Sequence, residues 1–503
     1  MMACIAKLRG ERLALRLMGC LLLLPTPFAT AADAAPVAVD QATMMAWITR
    51  IDEQGIRLPG YVADEWMERW GHDQFVAFGL QDVRLEPFEV LRWEAHSWSL
   101  RVWPRGRQDD SVMLSAWPVP LSGNATALHG ELALTTADTP PQPGLIAVEP
   151  YRLMQFDQAH MRDEVARWHY DPDGDFDTLQ QTVPMGPRFQ HVLEPAMAAG
   201  AKAWIGILEF PWQEDRYFVP YDAKLRDMPG LYLSQAEGQR LLALMAQGPV
   251  EARINVHREA RPAISHNVVG VLPGRSDEWI IIGTHHDGPW NSAVEDASGV
   301  ALVMAQAQYW AQVPQDQRPH NMMFLLQGGH MSRGAGLHHT AKTYAKRLRE
   351  NTVAVIHLEH AAREAHVVDG ALIPGDKPEV RWWFTSHMPQ LEQVVSDAIC
   401  AHQLDRSLLM PPYGWPKPEA KRPPTDASVF FLTTPVISLL AAPMYLFDPA
   451  DRVDMVHEAS LEPITTAVID MVNGLADTSA AALHASEYQP PQAQRLPGCE
   501  AGL

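Results

Sequence analysis

Three apolar runs, each followed by polar residues, decide the fold of the middle of the chain. Residues 279–288 read WIIIGTHHDG, residues 322–330 read MMFLLQGGH, and residues 353–360 read VAVIHLEH. Continuous apolar runs of this length are typical of strands that are buried on both faces of a parallel sheet. Residues 297–307, between the first two runs, have the pattern of a helix. The order strand, helix, strand predicts a βαβ unit.

The polar residues fall where these strands end, and this placement predicts a functional site. In open α/β sheets, ligands bind at the carboxyl ends of the parallel strands. His285, His330 and Glu359 lie at the ends of the three runs, and Glu295 lies in the segment after the first run. Histidine and glutamate side chains are both able to bind a metal ion. We therefore expect these four side chains to converge on one edge of one sheet.

Length, composition and charge set the class of protein. A chain of 503 residues predicts two or three domains, and 47% hydrophobic and 20% charged residues are ordinary values for a globular protein. The formal net charge of −20 argues against nucleic acid or an anionic membrane surface as a partner. The oligomeric state does not follow from the sequence.

The N-terminus has the features of a cleavable secretory signal, which we place at residues 1–31. Basic residues precede a short apolar run at residues 17–24, and small residues follow at positions that suit cleavage. The apolar run is too short to span a bilayer, so we expect a periplasmic or secreted protein without a membrane span. Such a compartment permits disulfides. Cys400 and Cys499, the two cysteines that remain, are expected to form a bridge; the alternative is two separate thiols.

The remaining chain divides into segments of different pattern. Residues 38–95 begin with helical patterning, residues 96–257 have their own β-rich and α/β rhythm, and residues 258–476 carry the main α/β pattern. The predicted fold class is therefore α/β, with a mixed, mostly parallel sheet flanked by helices. Residues 477–503, rich in Ala, Pro, Gln and Ser, predict a loosely held C-terminal tail.

Several short motifs resemble metallopeptidase family 28, the secreted di-zinc aminopeptidases, and within it the branch of glutamate carboxypeptidase and the transferrin receptor. The matching pieces are NVVGVLPG at 267–274, GTHHD at 283–287, DASGV at 296–300, GAG at 334–336, Thr425 and Asp426 with Phe430, and PAD at 449–451. The resemblance implies a peptidase-like domain of residues 38–95 and 258–476. It also implies an inserted protease-associated domain at residues 96–257, where AAGAKAWI at 198–205 and MPGLYLS at 228–234 carry the likeness.

The resemblance also implies where one metal ion is held. The family binds one metal through a histidine, a bridging aspartate and a later aspartate. The matching positions are His285, Glu295 and Glu359, all of which can ligate a divalent cation, most suitably zinc. The predicted site therefore keeps one complete set of three ligands.

The second metal site of the family is not matched. Its two further ligands correspond to Met331 and Phe447; a thioether is a poor ligand for such a cation, and a phenyl ring is none. The glutamate that serves the family as general base corresponds to His330. These departures predict a single-metal site in which His330 handles the proton.

Five further residues near these positions are candidates for supporting roles. Asp287 is placed to orient an imidazole. Asp296, His286 and His360 are expected to line the pocket or to substitute as ligands, and Trp290 to wall the substrate pocket. For the histidines the alternative is a hydrogen-bonded structural residue, and for Trp290 it is a residue packed in the core.

Three functions fit these observations. The first is a metal-dependent hydrolase that acts on an amide or related carbonyl bond of a small-molecule or peptide-like substrate, not necessarily a peptide bond. The second is a non-catalytic binding protein built on a peptidase fold. The third is a metal-assisted lyase or cyclase. Metal content and the masses of the products distinguish among them.

Overall fold

The computed structural model describes residues 35–488 and Cys499, so the predicted signal segment at residues 1–31 lies outside the described residues. The helices are α1 Gln41–Asp52, α2 Val62–Ala77, α3 Gln158–His160, α4 Glu194–Ala198, α5 Gln235–Met245, α6 Gly299–Gln312, α7 Ala335–Thr343, α8 Ala345–Glu350, α9 Pro389–Ala401, α10 Leu461–Gly474 and α11 Ala480–Ala485. The strands are β1 Gln81–Pro104, β2 Val112–Leu114, β3 Trp117–Pro118, β4 Ala125–Leu134, β5 Ile146–Tyr151, β6 Gln155–Asp157, β7 Trp168–Tyr170, β8 Gln180–Thr182, β9 Ala203–Leu208, β10 Gly230–Leu233, β11 Val250–Leu272, β12 Trp279–His285, β13 Asn321–Gln327, β14 Thr352–Leu358, β15 Arg363–Val368, β16 Ala371–Pro378, β17 Arg381–Thr385, β18 Ser407–Met410 and β19 Val436–Ala441.

The three apolar runs form the centre of the sheet. They are β12, β13 and β14, which lie side by side with β12 in the middle and run parallel to one another. Ile282 of β12 is paired with Phe324 on one side and with Ile356 on the other, and all three are fully buried. Helix α6 connects β12 to β13. The predicted βαβ unit and the α/β fold with a mixed sheet flanked by helices are confirmed.

A long two-stranded ribbon joins this centre to the rest of the sheet. β1 and β11 pair antiparallel over nearly their whole length, and β11 contacts β13 at one end and β4 at the other. β5, β9 and β10 continue in parallel beyond β4. The ribbon therefore joins the strands of the predicted insert and those of the main α/β segment into one continuous sheet.

The domain boundaries predicted at 95/96 and at 257/258 fall within this ribbon. Ala95 is paired with Arg258, so the predicted start and end of the insert lie opposite each other on adjacent strands. β7, which belongs to the predicted insert, pairs with β18 at the other end of the sheet. The predicted insert thus contributes strands at both ends, and its identity as a protease-associated domain stays a prediction.

The C-terminal segment is held to the body over its described part. α11 lies within the predicted tail, and its Leu483 is buried because the helix packs against β14. Cys499 forms a disulfide with Cys400 near the end of α9, with 5.6 Å between the Cα atoms. Within the described chain, no helix has the length and apolar character that a membrane crossing requires.

Candidate active site

The carboxyl ends of the central strands place the site. His285 is the last residue of β12, His330 follows β13, and Glu359 and His360 follow β14. A cavity of about 350 Å³ opens beside them. It is lined by the acidic and imidazole side chains Glu295, His330, Glu359, His360 and Asp426, and by apolar and aromatic side chains that include Phe189, Tyr221, Leu337 and Phe447. The cavity therefore combines a polar floor with apolar walls, which is typical of a binding site for an organic molecule.

His285 presents a lone pair to the site. Its Nδ1 lies 3.0 Å from the main-chain oxygen of Asp287, and because a carbonyl oxygen only accepts, Nδ1 carries the proton. Nε2 therefore has its lone pair free and lies 3.6 Å from Oε1 of Glu295. Burial, followed by the charge of His330, lowers the pKa of His285 well below its ordinary value. The imidazole is thus neutral, as a metal ligand must be.

His360 approaches the same carboxylate from the other side. Its Nδ1 lies 2.6 Å from the carbonyl oxygen of Ala441, which fixes a proton there, and its Nε2 lies 2.7 Å from Oε2 of Glu295. Burial opposes charge on His360, but the negative charge of Glu295 outweighs it and raises the pKa of His360 to about 10. Likewise, burial opposes charge on Glu295, but His360 and His285 lower its pKa to about 2. Glu295 is therefore a carboxylate held between imidazoles.

His330 forms a dyad with an aspartate. Its Nδ1 lies 2.8 Å from Oδ1 of Asp426, and its Nε2 lies 3.2 Å from Oε1 of Glu295. Burial opposes charge on His330, but Asp426 and Glu295 outweigh it and raise the pKa of the imidazole well above its ordinary value. Asp426 also lies 3.2 Å from Nε2 of His285. Sequence reasoning recognised Asp426 only as part of a matching motif and gave it no role.

Glu359 lies in the cavity but has other partners. Its Oε1 lies 2.6 Å from Nδ1 of His357 and accepts the main-chain N–H of Asp426 at 3.3 Å. Burial and the charge of Asp426 raise the pKa of Glu359. Two groups of donor atoms here lie within 4.8 Å of one another: His285 with Glu295 and His360, and His285 with His330 and Asp426. Of the predicted ligands, His285 and Glu295 share such a group, whereas Glu359 belongs to neither.

Asp287 and Asp296 hold the loops that carry these side chains. Asp287 accepts the main-chain N–H groups of His330 at 2.9 Å and Met331 at 2.8 Å, so its side chain fixes the turn after β13. The imidazole of His285 is oriented by the main-chain oxygen of Asp287 rather than by its carboxylate. Asp296 accepts the main-chain N–H of His360 at 3.2 Å. Both aspartates therefore act on the backbone of the imidazole-bearing turns.

His286 and Trp290 do not line the cavity, contrary to the prediction from the sequence. His286 lies on the other side of the strand end, 3.4 Å from Asp64 of α2. Trp290 packs against Trp117, with 5.5 Å between ring centroids, and its Nε1–H donates to the carbonyl of Phe447 at 3.0 Å. Side chains alternate between the two faces of an extended chain, so the neighbour of a site residue points away from the site. The sequence pattern alone does not show which of two adjacent histidines faces inwards.

The positions of the unmatched second metal are filled by other groups. Phe447 lines the cavity and lies against Tyr221, with 5.3 Å between ring centroids. Met331 is buried, and its main-chain N–H is bound by Asp287. A phenyl ring and a buried thioether at these positions offer no ligand for a second cation.

Unpaired buried atoms test whether the remaining residues fit a metal. Nε2 of His285, Nε2 of His360 and Oε1 of Glu295 are fully buried, and none has a well-oriented hydrogen-bond partner among the described residues. Buried polar atoms are costly without a partner. Two imidazole nitrogens and a carboxylate that face one another are a suitable ligand set for zinc. The residues therefore fit a divalent cation at this point.

Comparison with known proteins identifies this part of the chain. Residues 267–406 match the model of peptidase family M28. These residues, called the M28 domain, are similar to the M28 peptidases. The match covers β12, β13 and β14 with the segments that follow them, so His285, Glu295, His330, Glu359 and His360 all belong to the M28 domain. The resemblance to family 28 is confirmed.

Solved structures extend the likeness of fold beyond the M28 domain. An M28 peptidase precursor from Shewanella amazonensis is 17% identical, with a TM-score of 0.63, and the match covers 90% of this chain and 98% of that one. A zinc aminopeptidase from Bacillus subtilis is 14% identical, with a TM-score of 0.60 and coverage of 88% and 97%. An aminopeptidase from Aneurinibacillus sp. strain AM-1 is 18% identical, with a TM-score of 0.58 and coverage of 87% and 94%. None of the functionally curated proteins matches the chain.

Proposed function

We propose that the protein is a metal-dependent hydrolase that cleaves an amide or related carbonyl bond at a single-metal site within the M28 domain. One observation carries the proposal. Buried, unpaired donor atoms of His285, His360 and Glu295 converge beside an organic-sized cavity. The M28 match and the zinc aminopeptidase with a similar fold support the choice of zinc.

The proposed ligands are His285, Glu295 and a third residue after β14. The family resemblance favours Glu359 in that place, whereas the grouping of donor atoms favours His360. His360 has its Nδ1 proton fixed on the carbonyl of Ala441, so a cation would replace the proton that its Nε2 shares with Glu295 in the metal-free site, while Glu359 pairs with His357. We therefore assign His360 as the third ligand and Glu359 to the wall of the site.

Protein groups handle the proton. A bound divalent cation supplies a Lewis acid that brings the pKa of a water ligand to about 7. A cation beside Glu295 would offset the carboxylates that raise the pKa of His330. With a proton on Nδ1 held by Asp426, Nε2 of His330 can then accept a proton and return it to the leaving group. Asp426 holds one tautomer and stabilises the imidazolium form, as an aspartate does in other hydrolases. His330 thus takes the role of general base and general acid.

A single cation is supported by Met331 and Phe447 at the positions of the missing ligands. The substrate is proposed to be a peptide or peptide-like amide whose apolar part contacts Phe189, Tyr221 and Leu337. The signal-like N-terminus and the disulfide support a periplasmic or secreted location.

Metal content and product masses test this proposal together. The purified protein is expected to hold about one zinc ion at this site and to add water to amide or peptide substrates, detected by mass spectrometry. His285→Ala should lose the zinc ion of this site and the turnover. His366→Ala, which removes an exposed imidazole on β15, should keep both and serves as the matched control. Zinc without turnover would favour the binding protein, and products that lack added water would favour the lyase or cyclase.

A further inference from the structure

A second group of buried metal-ligating side chains lies behind the active site. Asp64 and Glu68 are one turn apart on α2, and both face His286 at the end of β12. Their donor atoms lie within 4.8 Å of one another. Asp64 and His286 are 0% exposed and Glu68 is 2% exposed. This back cluster, defined as Asp64, Glu68 and His286, has no part in the hydrolysis proposed above.

The tautomer of His286 leaves a lone pair facing a carboxylate. Nε2 of His286 lies 2.9 Å from the carbonyl oxygen of His266, so it carries the proton and Nδ1 does not. Nδ1 lies 3.4 Å from Oδ1 of Asp64. Neither atom has a hydrogen-bond partner in the part of the chain that the structure describes. Two buried acceptors that face each other in this way are stable only with a proton or a cation between them.

The distance favours a cation. A hydrogen bond between an imidazole nitrogen and a carboxylate is about 2.7–2.9 Å long. Two ligands of a tetrahedral zinc ion, each bonded at about 2.0–2.1 Å, lie about 3.3–3.4 Å apart. The separation of 3.4 Å between Asp64 and His286 matches the second geometry.

The surroundings of the cluster already hold its ligands in place. Oδ2 of Asp64 accepts the main-chain N–H of Gly60 at 2.8 Å. Oε1 of Glu68 accepts the hydroxyl of Ser265 at 3.1 Å and the main-chain N–H of His266 at 2.6 Å, and its Oε2 lies 2.8 Å from Nδ1 of His266. Groups outside the cluster thus orient each carboxylate. Metal ligands are usually oriented by such outer hydrogen-bond partners.

We propose that Asp64, Glu68 and His286 bind a structural zinc ion that ties α2 to the end of β12. A water molecule would complete the tetrahedron. Because His286 lies between His285 and Asp287, this ion would hold the segment that carries the active-site imidazole. The ion would therefore contribute to stability and position, and not to the chemistry of the cavity.

Zinc content of purified full-length variants tests the proposal. In a background that removes two active-site ligands, His285→Ala with Glu295→Gln, about one zinc ion should remain per chain. Adding Asp64→Asn or Glu68→Gln should reduce the content to about zero, whereas adding Glu65→Gln should leave it unchanged. Glu65 is the matched control because it lies on the same helix with its side chain 52% exposed.

Thermal melts with added ZnCl₂ give an independent readout. Zinc should raise the melting temperature of the background variant and of its Glu65→Gln derivative, and should not do so for the Glu68→Gln derivative. Glu68→Gln keeps an oxygen for the hydroxyl of Ser265 and the main-chain N–H of His266, and its NH2 can donate to Nδ1 of His266, so it carries the test if Asp64→Asn fails to fold. A background variant that binds no zinc would overturn the inference and leave a hydrogen-bonded cluster. If substitution of Asp64 or Glu68 removed all the zinc of the otherwise wild-type protein, and substitution of the active-site ligands removed none, the hydrolase proposal would fail and this one would stand.

Discussion

His285 and His286 are neighbours in the sequence with opposite surroundings. His285 faces an imidazole-rich group beside a cavity of about 350 Å³, whereas His286 faces two carboxylates of α2, of which Glu68 lines a separate pocket of about 400 Å³. Both are fully buried, and both have one ring nitrogen fixed by a main-chain carbonyl. The difference teaches that the partners of a buried imidazole, rather than residue type or burial, separate a site for chemistry from a site for stability. The predictions below probe that separation.

The largest effect is expected for His285→Ala. Loss of the ligand should remove the active-site metal, which is worth about 4 kcal/mol of transition-state stabilisation and corresponds to a roughly thousandfold fall in kcat/KM. The far-UV circular dichroism should stay unchanged. Steady-state kinetics on the best amide substrate gives the measurement, and full activity in this variant would contradict the assignment of the site.

The next effect is expected for the dyad. Asp426→Asn should lower kcat by about a hundredfold, because the carboxamide no longer fixes the proton on Nδ1 of His330. Zinc content should stay at the wild-type level, which separates this variant from His285→Ala. A loss of zinc in Asp426→Asn would instead identify the aspartate as a ligand, since it lies 3.2 Å from Nε2 of His285.

Glu379 is a buried carboxyl outside both clusters. It shows what burial does to the pKa of a carboxyl where no cation is proposed. Burial raises the pKa of Glu379 to about 7, from an ordinary value near 4.5. Between these two pH values Glu379 keeps its proton in the folded protein but has lost it in the unfolded chain. The free energy of unfolding therefore falls as the pH rises from about 4.5 to about 7. The loss is on the order of 3 kcal/mol in the free energy of unfolding.

Glu379→Gln should remove this pH dependence, because the amide keeps an oxygen for the main-chain N–H of Val380 and carries no proton to lose. Urea denaturation at pH 5 and pH 8 should show a smaller difference for this variant than for wild type. Asp376→Asn, at an exposed position on β16, should behave as wild type. An equal pH dependence in Glu379→Gln and wild type would refute the prediction.

The smallest effect is expected at the back cluster. Asp64→Ala leaves the N–H of Gly60 without its acceptor, which costs about 2 kcal/mol in the free energy of unfolding of the metal-free protein. Once the protein is folded, kcat should fall less than for Asp426→Asn. Chemical denaturation in a chelating buffer measures the first quantity. A catalytic loss as large as that of His285→Ala would erase the distinction between the two clusters.

The sequence predicted the centre of the fold because apolar runs and parallel strands are directly related. Ile280–Ile282 and Val353–Ile356 needed no tertiary information to be recognised as buried strands. It also placed His285 and Glu295 in one group. What it could not supply was the facing of His286, since adjacent residues in an extended chain point in opposite directions. The choice between Glu359 and His360 was also hidden, because both line the cavity and only their partners, His357 and the carbonyl of Ala441, separate them.

The role of Asp426 was hidden for a different reason. It lies in the segment after β18, far along the chain from His330, and reaches it only through the path of that segment across the cavity. The motif of Thr425 and Asp426 was visible in the sequence, but a pairing over this distance follows from topology and not from spacing. Long-range hydrogen-bond partners of this kind need coordinates.

The bond between Cys400 and Cys499 has a consequence for limited proteolysis. It closes a loop that contains Asp426 and Phe447, and the two sulfurs are 99 positions apart in the chain. A single cut at the exposed residues 417–419 would leave both fragments covalently attached, so the nicked protein would migrate as one species until a thiol is added. A chain cleaved there would thus keep Asp426, the partner of His330, tethered to the body.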